Sequence, residues 1–241
     1  MLTAINMSMA IYHFNIDIIS RSKGMGSAVA AAAYRHDTKM KSDFDGKTYS
    51  YKRRNTVVWS EISLPVAAPQ WACDAFGCDA SRRALVVREA TGVARNQVVA
   101  KLSAVLWNGI EQHEAGHNKH HKRARLARKF TIALPVELTR EEQITVTREY
   151  VQKAFAERGM VADWVVHDPQ NASNNNPHVL GMVAMRELGE ENWGLKNRDW
   201  NARDLLRAWR SEWAEVANIA LECAGFDKRI DHRRLDGVEV E

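Results

Sequence analysis

The chain has 241 residues, of which 45% are hydrophobic and 27% are charged, and its formal net charge is +4. This length and balance exclude an intrinsically disordered chain and allow a full hydrophobic core. The sequence contains no run of 18 apolar residues, which excludes a membrane-spanning helix. Its three cysteines form no CxxC pair and no secretory signal is present, so neither a disulfide framework nor a cysteine zinc site is expected, and a cytoplasmic location is favoured.

Positive charge is concentrated in two tracts of the sequence. Residues 21–54 contain nine Lys or Arg and three Asp, whereas residues 119–129 contain six Lys or Arg and no acidic residue. Such tracts on a nearly balanced background favour an anionic partner, with nucleic acid first. The alternative is a solvated charged face, which is what a single basic run usually represents. We interpret the histidine-rich stretch at 113–121 as a solvated basic face, with metal binding as its alternative.

The first elements are a strand, a helix and a second strand. Residues 10–19 alternate apolar and polar side chains and predict a strand. Residues 27–40 predict a helix that contains Tyr34, because Ser27 can cap it and a run of alanines follows. Residues 56–64 are rich in strand formers and predict the second strand.

A capping box is the clearest local signal in the second half of the chain. Thr139 and Glu142 have the spacing at which each can bond the backbone amide of the other, and the helix that they open is expected to stop at Gly159. The other predicted elements are helices at 96–112 and 204–224 and strands at 130–134, 161–167 and 178–185, the last two as a hairpin. This order predicts an α+β fold in which helices flank one face of a mainly antiparallel sheet.

Two histidines stand at the facing ends of the predicted hairpin. If its strands pair, His167 and His178 lie close together at the rim of the sheet and form a candidate divalent metal site, with Asp168 as an orienting partner. Two histidines beside a loop are more often surface residues than ligands, and their spacing leaves both interpretations open.

Tyr34 is the second candidate for chemistry. Positive charge from Arg35 and from the loop that contains Arg21 and Lys23 is expected to surround it. A basic setting favours a phenolate and can hold a phosphate, as a tyrosine nucleophile requires. A tyrosine on an alanine-rich helix more often packs against a core, so these residues alone indicate no more than a basic α+β protein with metal and DNA as candidate partners.

Short blocks of the sequence resemble the MobA/MobL family of plasmid mobilisation relaxases. Among them are Ala33-Tyr34-Arg35, His167-Asp168 and Asn176-Pro177-His178. The blocks follow the order of the family and cover most of residues 9–235. The others are residues 9–13, 20–24, 27–28, 57–64, 68–69, 71–72, 106–108, 132–138, 159–163, 196–201 and 229–233.

The resemblance implies a relaxase sandwich related to rolling-circle replication initiators, and a metal-assisted transesterification at a plasmid transfer origin. Tyr34 would attack the phosphorus of one strand, the 3′-hydroxyl would leave, and the 5′-phosphate would stay on the tyrosine. His178 and His167 would hold Mg²⁺ or Mn²⁺, which draws charge off the non-bridging oxygens. The implied contacts with the DNA backbone are Arg21, Lys23, Arg35, Lys52, Arg53 and Arg54.

The resemblance also implies partners and a domain boundary. The partners are single-stranded and duplex origin DNA, relaxosome accessory proteins and a coupling protein, without membrane insertion. The relaxase domain is expected at 9–235, with Met9 as the natural start and residues 1–8 as a non-native or disordered leader.

Three departures from the family pattern motivate an alternative function. Leu180 stands where the family's Pro-His-x-His motif has its second histidine, Lys129 and Thr131 stand where glutamates are common, and about 25 residues are inserted near 74–99. The alternative is a catalytically impaired homologue that binds origin DNA as an accessory protein.

Overall fold

An antiparallel five-stranded sheet lies at the centre of the chain in a computed structural model, which describes residues 12–22, 26–51, 56–77, 92–117, 120–169 and 176–233. Its strands follow the spatial order β1-β5-β7-β6-β4, and every neighbouring pair is antiparallel. The prediction of an α+β fold with an antiparallel sheet flanked by helices is confirmed. The strands are β1 (Phe14–Ser20), β4 (Val57–Ser63), β5 (Arg125–Ala133), β6 (Ala162–His167) and β7 (His178–Ala184).

Helices cover both faces of the sheet, so the expectation of helices on one face is wrong. The helices α4 (Arg140–Ala154) and α5 (Arg203–Cys223) pack on one face, whereas α1 (Ala28–Arg35), α2 (Gln70–Phe76) and α3 (Gly92–His117) belong to the other. The physical reason lies in the strands. Successive side chains of a strand point to opposite faces, and all six residues of β6 are buried, so each face needs a covering layer.

The start of α4 is the predicted capping box. The Thr139 hydroxyl accepts from the Glu142 amide at 3.3 Å, and the Glu142 carboxylate accepts from the Thr139 amide at 2.7 Å. The helix ends at Ala154, and a 3₁₀ turn carries the chain to Gly159, which has a φ of +88°. The box is confirmed, and the α-helix ends before the predicted stop at Gly159, which instead ends the 3₁₀ turn.

Helix α1 is also shorter than its predicted range of 27–40. Ser27 caps it as predicted and accepts from the Ala30 amide at 3.0 Å. The helix stops at Arg35 because Asp37 adopts a left-handed φ of +51°, which turns the chain into a short strand. That strand, β2 (Lys39–Lys41), pairs with β3 (Thr48–Ser50) in a hairpin that the sequence did not predict.

The remaining boundaries agree with the predicted elements to a varying degree. The hairpin of 161–167 with 178–185 is confirmed as β6 and β7, and the last helix is confirmed as α5. Helix α3 is longer than the predicted 96–112, β5 begins five residues before 130, and the hairpin of β8 (Arg186–Leu188) with β9 (Trp193–Lys196) was not predicted.

Residues 1–8 and 78–91 lie outside the described residues. No described helix has the length and apolar character needed to span a membrane.

Candidate active site

A buried carboxylate on α3 fixes the start of α1. Glu111 has no exposed surface, and its Oε1 atom accepts from the amides of Ala28 and Val29 at 2.5 and 3.2 Å and from the Ser27 hydroxyl at 2.9 Å. The first amides of a helix have no partners within it and lie at the positive end of its dipole, so a carboxylate is stabilised there. The first turn of α1 is therefore held from outside.

Strand β6 fixes the other end of α1. The Nε2 atom of His167 donates to the main-chain oxygen of Arg35 at 2.7 Å. Four residues earlier on the same strand, Asp163 Oδ1 lies 2.9 Å from Nε2 of His36, and both side chains are only 1% exposed. The two residues that follow Tyr34 are thus attached to the sheet.

Asp163 collects further hydrogen bonds from α3. Its Oδ2 atom accepts from the Ser103 hydroxyl at 2.6 Å and from the Trp107 indole at 2.7 Å. Burial opposes ionisation of Asp163, but the attraction and hydrogen bond of His36, followed by the bonds from Ser103 and Trp107, outweigh it and lower the pKa of this carboxyl. Asp163 therefore joins α1, α3 and the sheet.

Tyr34 projects into solvent between these two anchors. It is 41% exposed, and its ring meets the ring of Tyr51 edge-on with centroids 5.5 Å apart. It borders a groove of about 450 Å³ that Lys129 and Asp17 also line. The Lys129 ammonium lies 3.9 Å from the Asp17 carboxylate, and both side chains are about half exposed. A phenol, an ammonium and a carboxylate therefore share one open groove.

The sheet beside this groove presents polar side chains to solvent. Asn15 and Asp17 of β1 are exposed and stand opposite Thr131 and Lys129 of β5, which are half-buried. His178, also half-buried, begins the next strand, opposite the last residue of β5. Alternation places these side chains on the face that α1 and α3 cover elsewhere. The uncovered part can accept an extended polar ligand.

The structure brings the two predicted metal-binding histidines together. His167 and His178 pair in register, and their rings stack with centroids 5.4 Å apart and planes 12° apart. Their nitrogens are used differently. Nε2 and Nδ1 of His167 contact the Arg35 carbonyl at 2.7 Å and the Thr56 hydroxyl at 2.8 Å, so neither has a lone pair to spare. His178 donates from Nδ1 to the Asn176 carbonyl at 2.8 Å, which leaves Nε2 available among the described residues.

The neighbours of this pair add no metal ligand. Leu180 lies two residues along β7 on the same face, 9% exposed, and has no lone pair to offer. Asp168, the predicted orienting residue, forms an ion pair with Arg140 at 2.8 Å. Within the described ranges, no three His, Cys, Asp or Glu side chains form a metal-binding group. The arrangement offers one available ring nitrogen, at His178.

Two of the arginines predicted to contact DNA are buried. The Arg21 side chain is 6% exposed, lies 3.6 Å from the centroid of the Phe44 ring and is 3.5 Å from the Glu111 carboxylate. Arg35 is 6% exposed, donates to the Ala31 carbonyl at 2.7 Å, and burial lowers the pKa of its guanidinium to about 10. The prediction that Arg21 and Arg35 contact DNA is not tested by this structure, in which both guanidinium groups are buried. Lys23, Lys52, Arg53 and Arg54 lie outside the described residues.

Sequence reasoning missed Glu111 and Asp163, the two carboxylates that hold α1. Glu111 carries no local signal, because the amides that it binds are 82 and 83 residues away. Asp163 carries a weak one, since an acid inside an apolar strand must find buried partners.

Comparison with known families gives a match to the MobA/MobL family over residues 26–239. The chain belongs to the MobA/MobL family. This MobA/MobL chain is 34% identical over 256 aligned residues to the conjugal transfer protein TraA of Agrobacterium fabrum, and 30% identical over 270 to the mobilization protein MobL of Acidithiobacillus ferridurans. Each alignment covers 97% of the MobA/MobL chain, but 21% of TraA and 61% of MobL. The chain thus spans about a fifth of TraA.

A solved structure has a similar fold to this MobA/MobL chain. It is described as the molecular basis of vancomycin resistance transfer in Staphylococcus aureus, and the two chains superpose with a TM-score of 0.71 at 24% identity. The superposition covers 93% of the MobA/MobL chain and all of the other chain. At this identity, the likeness concerns the fold.

Proposed function

We propose that residues 9–235 form a conjugative relaxase domain that cuts one DNA strand at a transfer origin by transesterification on Tyr34. The Tyr34 oxygen forms a bond to phosphorus, the bond from phosphorus to the 3′-oxygen breaks, and the 5′-phosphate stays on the tyrosine. The phenolic proton passes to solvent and the departing 3′-oxygen gains one. Attack by a 3′-hydroxyl reverses these steps and rejoins the strand. Membership of the MobA/MobL family and the names of the mobilisation relatives support this proposal.

The observation that carries the proposal is an exposed tyrosine on a helix that is clamped at both ends. Glu111 holds the first turn of α1, and β6 holds the residues that follow Tyr34. A nucleophile that is held where attack can occur gains a large rate advantage. A core tyrosine would need no such clamp and would not be 41% exposed.

Lys129 is the cation that we assign to the phosphate. It lines the same groove as Tyr34, and its nearest carboxylate, at Asp17, is 3.9 Å away in an exposed pair, which water and salt screen. An incoming phosphodiester can compete for this ammonium, which would then neutralise charge on a non-bridging oxygen as the pentavalent state forms. Arg35 lines the groove too, but its Nη1 already donates to Ala31.

A divalent cation, Mg²⁺ or Mn²⁺, is a separate part of the proposal. His178 offers Nε2, whereas His167 would have to release the Arg35 carbonyl or the Thr56 hydroxyl to become a ligand. The Leu180 side chain has no atom that can bind a metal ion. The donor set does not fit a centre with three protein ligands, and the proposed steps use the chain's own residues. We assign His167 to the support of α1 instead.

The polar sheet face next to the groove suits a single DNA strand, and we propose origin DNA as the partner of this surface. Relaxosome accessory proteins and a coupling protein are proposed as further partners on the strength of the family. A second function, an origin-binding accessory protein without cleavage, is favoured by one observation: Leu180 and the hydrogen-bonded His167 leave a weak donor set for metal.

One experiment separates the two functions. The protein is incubated with a single-stranded oligonucleotide that spans its own nick site and is labelled 3′ of that site, with Mg²⁺, with Mn²⁺ or with EDTA. The relaxase forms a labelled covalent adduct on a denaturing gel. Tyr34→Phe abolishes the adduct, while Tyr51→Phe, which changes the neighbouring ring, retains it. Tight binding of the oligonucleotide without adduct under any condition would sink the relaxase and support the accessory protein.

A further inference from the structure

A hollow with a volume of about 920 Å³ lies away from Tyr34, at the start of β5. The end of α3, the β8–β9 hairpin and the 3₁₀ turn before α5 border it. Six of the side chains that line it are positively charged or titratable. They are His117, His120, Arg125, Arg186, Lys196 and Arg198.

One carboxylate serves two of these cations. Glu114 has no exposed surface, and its Oε1 atom lies 2.7 Å from Arg186 Nε and 2.8 Å from Lys196 Nζ. Burial lowers the pKa of Lys196, and the fields of Arg186 and Arg125 lower it further, although Glu114 opposes them. Two cations of this wall therefore share one carboxylate.

Arg125 and Arg198 complete the positive wall and have no such partner. Both are exposed, and neither forms an ion pair within the described ranges of the chain. They come from two different elements, β5 and the segment after β9. A guanidinium presents a planar fork of N–H donors that matches two phosphate oxygens. Two forks that face one hollow form a natural site for phosphate groups.

A second hollow borders the groove of Tyr34. It has a volume of about 420 Å³, shares Ala30 with the groove, and is bordered by Lys47 and Lys122. Lys122 lies two residues after His120, which borders the first hollow. A strand that leaves Tyr34 in this direction would pass Lys47 and Lys122, although Asp45 and Glu111 also line the second hollow.

We propose that Arg125 and Arg198 bind backbone phosphates of the same DNA strand that is cut at Tyr34, several nucleotides from the cleaved bond. The proposal rests on the proposed function for the identity of the ligand. The contacts are with phosphates, so they add affinity and fix the path of the strand without reading its sequence. The hollow is a second anchoring point, separate from the reacting atoms.

The test is the affinity of nested oligonucleotides for the full chain carrying Tyr34→Phe, measured by fluorescence anisotropy. The oligonucleotides are extended one nucleotide at a time on either side of the nick site. Arg125→Ala/Arg198→Ala is compared with Arg207→Ala/Arg210→Ala, which removes two exposed arginines from α5 on the other face of the sheet. The main-chain oxygen of residue 125 that accepts from Lys196 is kept in the variant.

We expect the Arg125/Arg198 variant to bind long oligonucleotides about tenfold more weakly, and short ones as well as the parent does. The salt dependence for long oligonucleotides should fall by about 1.4 in slope, because each neutralised phosphate of a single strand contributes about 0.7. The control should change affinity less than about twofold at any length, since charges beyond a Debye length are screened.

Two results would overturn this assignment. One is a loss that is the same at every length or is matched by the control. The other is that inorganic phosphate binds to the parent chain and not to the Arg125/Arg198 variant, while both bind long oligonucleotides equally well. That result would make the hollow a small-anion site. Because binding is measured without cleavage, failure to form an adduct would refute the proposed function and leave this result standing. Absence of length dependence would refute the anchor alone.

Discussion

The imidazole of His167 donates from Nε2 to the main-chain oxygen of Arg35 across 2.7 Å, which ties the last residue of β6 to the residue that follows Tyr34. The other ring nitrogen meets the Thr56 hydroxyl at 2.8 Å, so the ring is fixed in orientation and position. A histidine that sequence alone assigns to a metal is, in this structure, part of the support of the proposed nucleophile.

Replacing His167 should show whether this residue holds α1 in place or binds a metal ion. We expect His167→Ala to slow adduct formation about tenfold or more and to lower the free energy of unfolding by about 1–3 kcal/mol, because the buried Arg35 carbonyl loses its donor. His167→Gln can still donate an N–H to that carbonyl and should recover much of the rate. Affinity for Mn²⁺, measured by electron paramagnetic resonance, should not change in either variant. Loss of Mn²⁺ binding in both would show that His167 is a ligand.

Lys129 should affect the rate of adduct formation more than the affinity for DNA. We expect Lys129→Met to slow adduct formation by about 10- to 100-fold, because a phosphate oxygen loses its cation in the transition state. Lys129→Arg keeps the charge and should retain most of the rate. Asp17→Asn, which removes only the partner of Lys129, should not slow the reaction. A Lys129→Met variant that is as fast as the parent protein would remove this residue from the mechanism.

Position 180 should be able to gain a metal ligand. Leu180 lies on the same face of β7 as His178 and two residues away, so an imidazole there would point beside the available Nε2 of His178. We expect Leu180→His to bind Mn²⁺ at least about tenfold more tightly and to make the rate depend more strongly on added metal. Leu180→Asn is the control for polarity without an imidazole. Equal metal dependence in both variants would contradict the prediction.

The Asp163–His36 pair should make stability depend on pH in the acid range. The pKa of Asp163 is lower in the folded chain than in the unfolded one, so its contribution is complete above the ordinary Asp pKa of about 4 and is lost as the pH falls through the lowered value. Urea unfolding between pH 7 and pH 3 should show this loss. Asp163→Asn should cost about 3 kcal/mol at pH 7 and flatten the acid limb. An unchanged acid limb in that variant would place the effect on other carboxyls.

Sequence signals predicted those parts of the fold that depend on neighbours in the chain. The capping box at Thr139 and the cap at Ser27 each need partners only three residues away, and both are present. The β6–β7 hairpin follows from two apolar strands joined by a polar loop, and it brings His167 and His178 into register.

The features that the sequence did not predict depend on contacts between residues far apart in the chain. Arg21 is predicted from the sequence to contact DNA, whereas in the structure its guanidinium lies beside the carboxylate of Glu111, ninety residues away. The expectation of helices on one face of the sheet was wrong because both faces of β6 are buried. That burial depends on the neighbouring strands, and the six residues of β6 alone do not specify it. The supporting role of His167 depends on the carbonyl of Arg35, 132 residues away, which no motif records.

Mapping the covalent adduct shows directly which residue attacks the DNA strand. After reaction with a short oligonucleotide that spans the nick site, the protein is digested with protease and nuclease, and the peptide that carries a nucleotide 5′-phosphate is sequenced by mass spectrometry. We expect the modification on Tyr34, with Tyr49 and Tyr51 unmodified. A modification on either of those tyrosines, or an adduct that survives Tyr34→Phe, would contradict it.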